Sequence, residues 1–387
     1  MLDLDQLLRH AVEHGASDLH VKVGSRPFLR VDGKLIPAEF PVVAPADTEK
    51  IAFAILPNAR ADEFLATNEA DFAHTVAGLG RFRVNVFRQR GSVGIVFRRV
   101  LPGIPSFEDL GLPPVVRRLA EEPRGLVLVT GPTGSGKTTT LAAMIDHINT
   151  TMRKHVVTIE DPIEVLHPDK NSIVNQREIG TDTDDFHAAL KRVLRQDPDV
   201  ILIGEMRDPE TVSAALAAAE TGHLVFSTLH TISATETINR IIDFFPPHQQ
   251  RQIRMSLAGA LRGIVSQRLL ERDDRHGRIP AVEVLVATGR VFDRVVDPDQ
   301  TADLEEVIAE GEYYGMQTFD QSLLSLYERG VIGRREALGG ATRPHDLRLR
   351  IEQLDLERGT AGVSSGGGAG GPGSSGTPPR IGPIVTG

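Results

Sequence analysis

The sequence contains no cysteine among its 387 residues. This absence excludes a disulfide framework, a zinc site ligated by cysteine and a thiol nucleophile. It also fits a reducing compartment, so we expect a cytoplasmic protein. A basic excess is missing as well, because 43 lysines and arginines face 52 aspartates and glutamates and the formal net charge is −9. Since general nucleic-acid-binding proteins usually carry a basic excess, no nucleic-acid partner is expected.

Long apolar runs are also absent from the sequence. The nearest candidate, 212–226, is broken by Glu220 and His223. Because a membrane-spanning helix needs about 18 or more consecutive apolar residues, we expect no such span. The stretch from Met1 to Asp5 lacks the basic and apolar regions of an export signal. The composition therefore predicts a soluble chain, and the length predicts two or three domains.

The strongest positive signal is a glycine-rich stretch between a short apolar run, 126–130, and a segment with helical spacing, 141–145. This strand–turn–helix context is the one in which the G-x4-G-K-[ST] pattern binds phosphates. Backbone N–H groups and the helix N-terminus would attract the phosphate oxygens. Lys137 would contact the β- and γ-phosphates, and Thr138 would bind Mg²⁺. We therefore expect ATP to bind to Gly131, Pro132, Thr133, Gly134, Ser135, Gly136, Lys137, Thr138 and Thr139.

Polar residues follow three further strand-like runs. The run 156–159 leads into an acidic segment that contains Glu160, Asp161 and Glu164, and the run 200–203 leads into Gly204 and Glu205. The run 224–228 is preceded by His223 and followed by His230. Ligands of open parallel sheets bind beyond the carboxyl ends of the strands. We therefore expect these groups beside the phosphate site, and we expect Mg²⁺ to be held by Thr138, Glu205, Glu160 and Asp161.

Residues 1–100 predict a small α+β domain. Its pattern contains a helix over 2–13, a strand over 17–23, a hairpin over 28–36 with an Asp-Gly turn, and strands over 80–87 and 93–98. The domain is rich in arginine, with Arg81, Arg83, Arg88, Arg90, Arg98 and Arg99. One interpretation is a solvated strand face. The other is a set of cationic fingers for phosphates bound by another domain or subunit.

The remaining chain divides by composition. Residues 101–115 are rich in proline and predict a linker, and 116–355 alternate strands and helices, which predicts a mostly parallel sheet with helices on both faces. Within this domain we expect helices over 234–244 and 251–270 and a strand over 281–286. Residues 356–387 are dominated by Gly, Ser and Pro. That composition predicts a disordered tail.

Four boxes in order resemble the PilT/PilU-type motor ATPases of type IV pili, within the secretion-ATPase superfamily. They are the P-loop at 131–140, an "Asp box" at 158–164, an atypical Walker B segment at 197–208 and a "His box" at 221–231. The stretches 16–20 and 80–85 are similar to the PAS-like domain of that family. The resemblance covers residues 2 to about 338. It implies a PAS-like domain before a RecA-like P-loop ATPase core, and a homohexameric ring that works with an inner-membrane pilus platform.

The resemblance also suggests roles for single residues. Gly204 occupies the position of the usual Walker B aspartate, so Glu205 is expected to serve Mg²⁺ through water and Glu164 to act as the base, with the reverse assignment open. His223 and His230 are expected to sense the γ-phosphate. For the arginine finger, the nearest matches are Arg83, Arg88 and Arg98, and Arg207 is a further possibility.

Two departures from the family pattern bear on the type of motor. The tetracysteine zinc insertion and extra N-terminal domain of assembly and export members are missing, which favours retraction. The segment 302–321 looks closer to PilU than to PilT. The alternatives are therefore an assembly, type II secretion or conjugation-type ATPase, and a PilU-like accessory ATPase with little activity of its own that acts with other pilus motor ATPases.

Overall fold

The structure is a computed structural model that describes residues 2–31, 33–100 and 103–364. Its N-terminal part forms a six-stranded antiparallel sheet in the order β3-β2-β1-β6-β5-β4. The elements are α1 (Leu4–Glu13), β1 (Asp18–Lys22), β2 (Phe28–Val31), β3 (Lys34–Pro37), α2 (Pro45–Ile55), α3 (Asn58–Thr67), β4 (Glu69–Val76), β5 (Gly80–Gln89) and β6 (Ser92–Arg99).

Alternation along the strands determines which face of this sheet packs against the helices. On β5, Phe82, Val84 and Val86 are buried with the apolar sides of α1, α2 and α3, whereas Arg83 is exposed on the opposite face. The predicted division of the strand into an apolar and an arginine face is therefore confirmed. The predicted 28–36 hairpin is confirmed by the antiparallel pairing of β2 with β3.

The second domain contains a seven-stranded sheet in the order β13-β12-β7-β11-β10-β8-β9, parallel except at β13. Its elements up to the sheet edge are α4 (Phe107–Leu110), α5 (Pro114–Ala120), β7 (Gly125–Thr130), α6 (Lys137–Thr151), β8 (His155–Glu160), β9 (Ile173–Glu178), α7 (Phe186–Val193), β10 (Val200–Ile203), α8 (Pro209–Glu220), β11 (Leu224–Leu229), α9 (Ala234–Asp243), α10 (Pro247–Ala260), β12 (Leu261–Glu271) and β13 (Arg278–Val286).

Helices complete the described chain after the sheet. They are α11 (Gly289–Val296), α12 (Leu304–Ala309), α13 (Phe319–Glu328), α14 (Arg334–Gly340) and α15 (Pro344–Ser364), with 3-10 turns at Pro298–Asp303 and Glu312–Tyr314. Apolar residues of α13, α14 and α15 pack together with β13. No helix among the described residues has both the length and the apolarity that crossing a bilayer requires.

The predicted α/β class with a mostly parallel sheet is confirmed, but the predicted helix over 251–270 is wrong in its second half. The helix α10 ends at Ala260, and Leu261–Glu271 form the long strand β12 instead. This strand lies between β7 and β13, so apolar residues face both of its sides and no alternation marks it as a strand. A short apolar run of this kind does not separate helix from strand by periodicity.

Two further features differ from the sequence prediction: two edge strands and the end of the last helix. The strands β4 and β9, which the sequence analysis did not identify, form one edge of each sheet. The segment from 356 was predicted to be disordered, yet α15 continues to Ser364, because its buried residues Leu347 and Ile351 pack against α13 and α14 and the helix extends from that contact. Of the predicted tail, 365–387 lie outside the described residues, as do 101 and 102 of the predicted linker.

Candidate functional site

A cavity of about 530 Å³ lies at the carboxyl edge of the seven-stranded sheet. Four strands deliver its polar residues, because β7, β8, β10 and β11 are parallel and end at the same edge. The lining includes the candidate residues Thr133, Gly134, Gly136, Lys137, Thr138, Thr139, Glu160, Asp161, Glu164, Glu205, Arg207 and His230. Of the polar strand-end residues expected beside the phosphate site, all but His223 line this cavity.

The P-loop between β7 and α6 has the backbone that its glycines predict. Gly131 has φ 144°, and a Cβ there would lie 2.5 Å from the carbonyl oxygen of Gln267. Gly136 adopts the left-handed conformation directly before α6. The Nζ atom of Lys137 donates to the carbonyl oxygens of Gly131 at 2.8 Å and Pro132 at 3.0 Å. The loop is thus folded around its own lysine.

The polar groups of this loop are suited to an anionic ligand. Burial lowers the pKa of Lys137, and the carboxylates of Glu205 and Glu164 oppose that shift. The hydroxyl of Ser135 is buried and has no hydrogen-bond partner among the described residues. Phosphate oxygens would satisfy both groups, since they accept hydrogen bonds and carry negative charge. The cradle therefore fits a nucleotide triphosphate chain.

Glu205 follows β10 and forms a small charged cluster at the cavity wall. Its Oε2 atom lies 2.7 Å from Nη2 of Arg207, and its Oε1 atom lies 3.4 Å from Nε2 of His230. The Nε–H of Arg207 also donates a hydrogen bond to Oε2 of Glu205 at 2.8 Å, and this bond raises the pKa of Arg207. His230, which follows β11, is 46% exposed and faces the cavity. The predicted neighbourhood of Glu205, Arg207 and His230 is thus present in the fold.

The acidic segment after β8 divides into a buried and an exposed part. The Oε1 atom of Glu160 accepts from the hydroxyl of Thr158 at 2.6 Å and from the amide of Gln176 at 3.2 Å. Burial raises the pKa of Glu160. Asp161 and Glu164 are exposed. This internally bonded carboxyl also lines the cavity, and a role of Glu160 at the Mg²⁺ site stays a prediction.

Among the residues that the structure describes, no group of three or more His, Asp or Glu side chains is arranged to hold a metal ion. A fully protein-ligated metal centre is therefore not formed in that part of the chain. Mg²⁺ at nucleotide sites is typically held by one or two protein groups together with phosphates and water. Thr138 and Glu205, which both line the cavity, fit that smaller role.

The two histidines that flank β11, His223 and His230, lie at opposite edges of the sheet. His223 precedes β11, where its carbonyl oxygen accepts from Gly125 N at 2.9 Å and its Nδ1 contacts the carbonyl oxygen of Ala218 at 2.9 Å. Six strand residues separate it from His230, a distance of roughly 20 Å at about 3.3 Å per residue. Strand polarity thus places His223 at the amino edge, away from the P-loop of its own chain, and its predicted role as a sensor of the γ-phosphate stays a prediction.

The arginines of the N-terminal domain divide into three groups. Arg83 and Arg98 line a second cavity, of about 440 Å³, together with Thr138, Thr139 and Glu164 of the same chain. Arg88 lies elsewhere, 4.0 Å from Glu49 and over the ring of Phe64, so it does not reach this cavity. Arg81 contacts the second domain through Glu178. Of the predicted finger candidates, Arg83 and Arg98 thus line the second cavity and Arg207 lines the main one, whereas Arg88 lines neither.

Several residues of the site were missed by the sequence analysis. Arg99, counted in the arginine set but not among the finger candidates, also lines the second cavity and has a buried Nε without a partner among the described residues. Arg278, at the start of β13, lines the main cavity. Beneath the loop, Thr130 and Ser266 place their hydroxyl oxygens 2.9 Å apart. No motif signals Thr130, Ser266 or Arg278, because pairing between β7, β12 and β13 brings them to the site, and Arg99 is brought there by the contact between the two domains.

Comparison with known proteins places the chain among secretion and pilus ATPases. A family profile described as "Type II/IV secretion system protein" matches residues 1–303. The chain is 43% identical over 346 residues to the type IV pilus retraction ATPase PilT of Pseudomonas aeruginosa, which covers 89% of this chain and all of that protein. It is 42% identical over 351 residues to the type IV pilus ATPase PilU of the same organism, covering 91% of this chain and 92% of that protein.

A solved structure gives the same result. A crystal structure of the pilus retraction motor PilT with bound ADP superposes with a TM-score of 0.84 at 44% identity, covering 90% of this chain and 99% of that chain. The expected RecA-like ATPase fold is confirmed by this match. The ADP of that crystal structure also agrees with the nucleotide expected from the P-loop sequence.

Proposed function

The chain belongs to the type II/IV secretion system protein family, among its PilT- and PilU-type ATPases, and from this premise we propose that it is a motor that retracts type IV pili. The observation that carries the proposal is the convergence of the P-loop, Glu164, Glu205 and His230 on one cavity at the carboxyl edge of the sheet. Such a site performs phosphoryl transfer to water, which needs positioning and charge neutralisation more than covalent chemistry.

We propose that Lys137 exchanges its two backbone carbonyl contacts for the β- and γ-phosphates of ATP. The amides of 131–139 and the hydroxyl of Ser135 surround the same phosphates. Thr138 and Glu205 would hold Mg²⁺, and Asp161 is a further candidate at the cavity wall. Bound Mg²⁺ would neutralise charge on the phosphate oxygens.

The attacking water needs a carboxylate that orients or deprotonates it. Glu205 forms an ion pair with Arg207 and lies beside His230, and we place its carboxylate at the Mg²⁺ rather than at the attacking water. Glu164 is exposed to both cavities, and no hydrogen bond or ion pair occupies its carboxylate among the described contacts. We therefore propose that Glu164 is the general base and that His230 senses the γ-phosphate.

The developing charge of the transition state also needs cations. Arg83, Arg98 and Arg99 lie across the second cavity from Thr138 and Glu164 of the same chain. Arg83 is exposed and lies directly opposite Arg98 on the neighbouring strand, so two like charges adjoin, with Asp18 partly offsetting the charge of Arg98. An anion would relieve that repulsion. We propose that these arginines close on the nucleotide as the fingers, with Arg207 as a second source of charge.

At the level of the assembly, we propose a homohexameric ring in the cytoplasm that acts on an inner-membrane platform protein. The alternative, a PilU-like accessory ATPase, is supported by the 42% identity to PilU, nearly equal to that with PilT. An assembly motor is the third candidate. Because the three differ in turnover and in direction, both properties must be measured.

The test combines purified protein with a deletion strain of the source organism. A retraction motor should hydrolyse ATP alone, and its deletion should leave cells with excess surface pili but no twitching. Restoring the unmodified gene should reverse this phenotype, whereas the Lys137→Ala gene should not, since the loop cation is lost and no core atom is removed. Cells without surface pili would instead indicate an assembly motor, and the absence of turnover by the isolated chain would indicate the accessory role.

A further inference from the structure

One buried ion pair joins the two domains. Nη2 of Arg81, on β5, lies 2.5 Å from Oε2 of Glu178, at the end of β9. The two side chains are only 16% and 4% exposed. The other ion pairs described for arginines of the N-terminal domain stay within that domain, as between Arg98 and Asp18. Among the described residues, Arg81 is therefore the arginine of the N-terminal domain whose ion pair reaches the ATPase domain.

The carboxylate of Glu178 also holds the acidic segment of the active site. Its Oε2 atom, the one bound to Arg81, accepts the backbone N–H of Ile163 at 3.0 Å. Its Oε1 atom accepts from the hydroxyl of Thr181 at 3.3 Å. Ile163 is buried and directly precedes Glu164, so a single oxygen atom connects the other domain to the backbone next to the proposed base.

The chemistry of a buried carboxylate makes this connection conditional. A buried carboxylate is stable only while cations and N–H donors satisfy it, and loss of the cationic partner leaves an uncompensated charge. If Arg81 withdraws, Glu178 must gain a proton, draw in water or leave its buried position. Each of these changes alters the acceptor that Ile163 N–H uses, and with it the place of Glu164.

We propose that Glu178 is a positioning residue that fixes Glu164 for hydrolysis only while Arg81 is bound to it. The N-terminal domain then controls the active site through one shared oxygen, and a rotation that separates Arg81 from Glu178 releases the catalytic segment. This inference rests on the proposed function only through the assignment of Glu164. The domain linkage itself is independent of that assignment.

The first experiment measures turnover and interdomain distance in the same full-length proteins. Because the sequence contains no cysteine, Lys22→Cys and Lys191→Cys, both at exposed positions, give one spin label in each domain. Labelled chains are diluted with unlabelled chains so that the distances come from single subunits. Arg81→Gln should lower kcat roughly 10- to 100-fold, with KM changed less than threefold, and should broaden the distance distribution. Arg26→Gln, an exposed arginine of the same domain, should change neither.

Two more variants separate the linkage from the positioning. Glu178→Gln keeps an oxygen that can accept Ile163 N–H but loses the charge, so its kcat should fall less than that of Arg81→Gln. The exchange of Arg81→Glu with Glu178→Arg restores an ion pair but not an acceptor for Ile163. We expect this double variant to regain the narrow distance distribution while its kcat stays low.

The outcomes that overturn the proposal are specific. Unchanged kcat in Arg81→Gln would remove the control of hydrolysis, and full recovery of kcat in the exchanged pair would remove the role of the Ile163 contact. Hydrogen exchange of the Ile163 amide supplies a readout without turnover, and it should become faster in Arg81→Gln. If the unmodified chain hydrolyses no ATP, the proposed function fails. An unchanged exchange rate of the Ile163 amide in Arg81→Gln would then separately overturn the proposed link between Arg81, Glu178 and Ile163.

Discussion

The two edges of the seven-stranded sheet carry similar polar residues in different states. At the amino edge these groups satisfy one another: Lys154 bonds Asp199 at 3.0 Å, Asp199 accepts from the backbone N–H of His155, and His223 contacts a helix carbonyl oxygen. At the carboxyl edge, Lys137 has only backbone carbonyl partners, and Ser135 has none among the described residues. Polar residues at strand ends therefore indicate a site only at the edge where some of them lack side-chain hydrogen-bond partners.

The largest expected difference between the two edges is the effect on turnover of replacing their carboxylates. Glu164→Gln should lower kcat on the order of 10²- to 10⁴-fold with near-normal ATP affinity, because the base is lost while the phosphate cradle is kept. Glu205→Gln should instead raise the Mg²⁺ concentration required for half-maximal turnover. Glu220→Gln, an exposed acid near the amino edge, is the matched control and should change neither quantity. Exchanged phenotypes of Glu164→Gln and Glu205→Gln would reverse the assignment of the base.

The two histidines give a more direct comparison, since they flank one strand. His230→Ala should lower kcat roughly tenfold, because a polar group beside Glu205 is removed from the cavity. His223→Ala should leave kcat unchanged and lower the free energy of unfolding by about 1 kcal/mol, since the contacts of its Nδ1 with the carbonyl oxygen of Ala218 and the hydroxyl of Thr221 are lost. Steady-state turnover and thermal unfolding of both variants test this. Equal losses of kcat would mean that the amino edge takes part in hydrolysis.

An expected effect on stability alone, with none on turnover, lies beneath the carboxyl edge, in the pH dependence of unfolding. Burial raises the pKa of Glu283 from 4.5 to about 7, although its Oε1 atom accepts the N–H of Ala234 at 2.8 Å. The contribution of the protonated group to stability is therefore full below pH 4.5 and lost as the pH rises through 7. Glu283→Gln should remove this part of the pH dependence. Thermal unfolding between pH 5 and 8 measures it, and parallel curves for both proteins would contradict the shift.

The contrast between the edges also explains what the sequence analysis could predict. The P-loop, Glu205 and His230 follow buried strands directly, so chain order alone predicts their place at the carboxyl edge. His223 lies next to the same strand as His230 but precedes it, so the direction of the strand places His223 at the amino edge. The surroundings of Glu160 were only partly predictable, since its bond to Thr158 lies within β8 whereas its bond to Gln176 depends on β9, which no sequence pattern indicated.

Long-range pairing accounts for the remaining failures. The strand β12 matches helical spacing in the sequence, and only its position between β7 and β13 makes it a strand. Arg99 and Glu178 come from segments without a recognisable motif, and their roles depend on how the two domains meet. Local patterns therefore predicted the elements that carry motifs, whereas contacts between distant segments determined which residues complete the site.

The burial of the Arg81–Glu178 pair has a consequence for ionic strength. Dissolved ions screen exposed charge pairs over about 8 Å at physiological salt, but they reach buried pairs much less. The pair between Arg98 and Asp18 has an arginine that is 67% exposed, whereas the arginine of the interdomain pair is 16% exposed. Raising the salt concentration should therefore loosen the arginines around the second cavity before it loosens the bond between the domains.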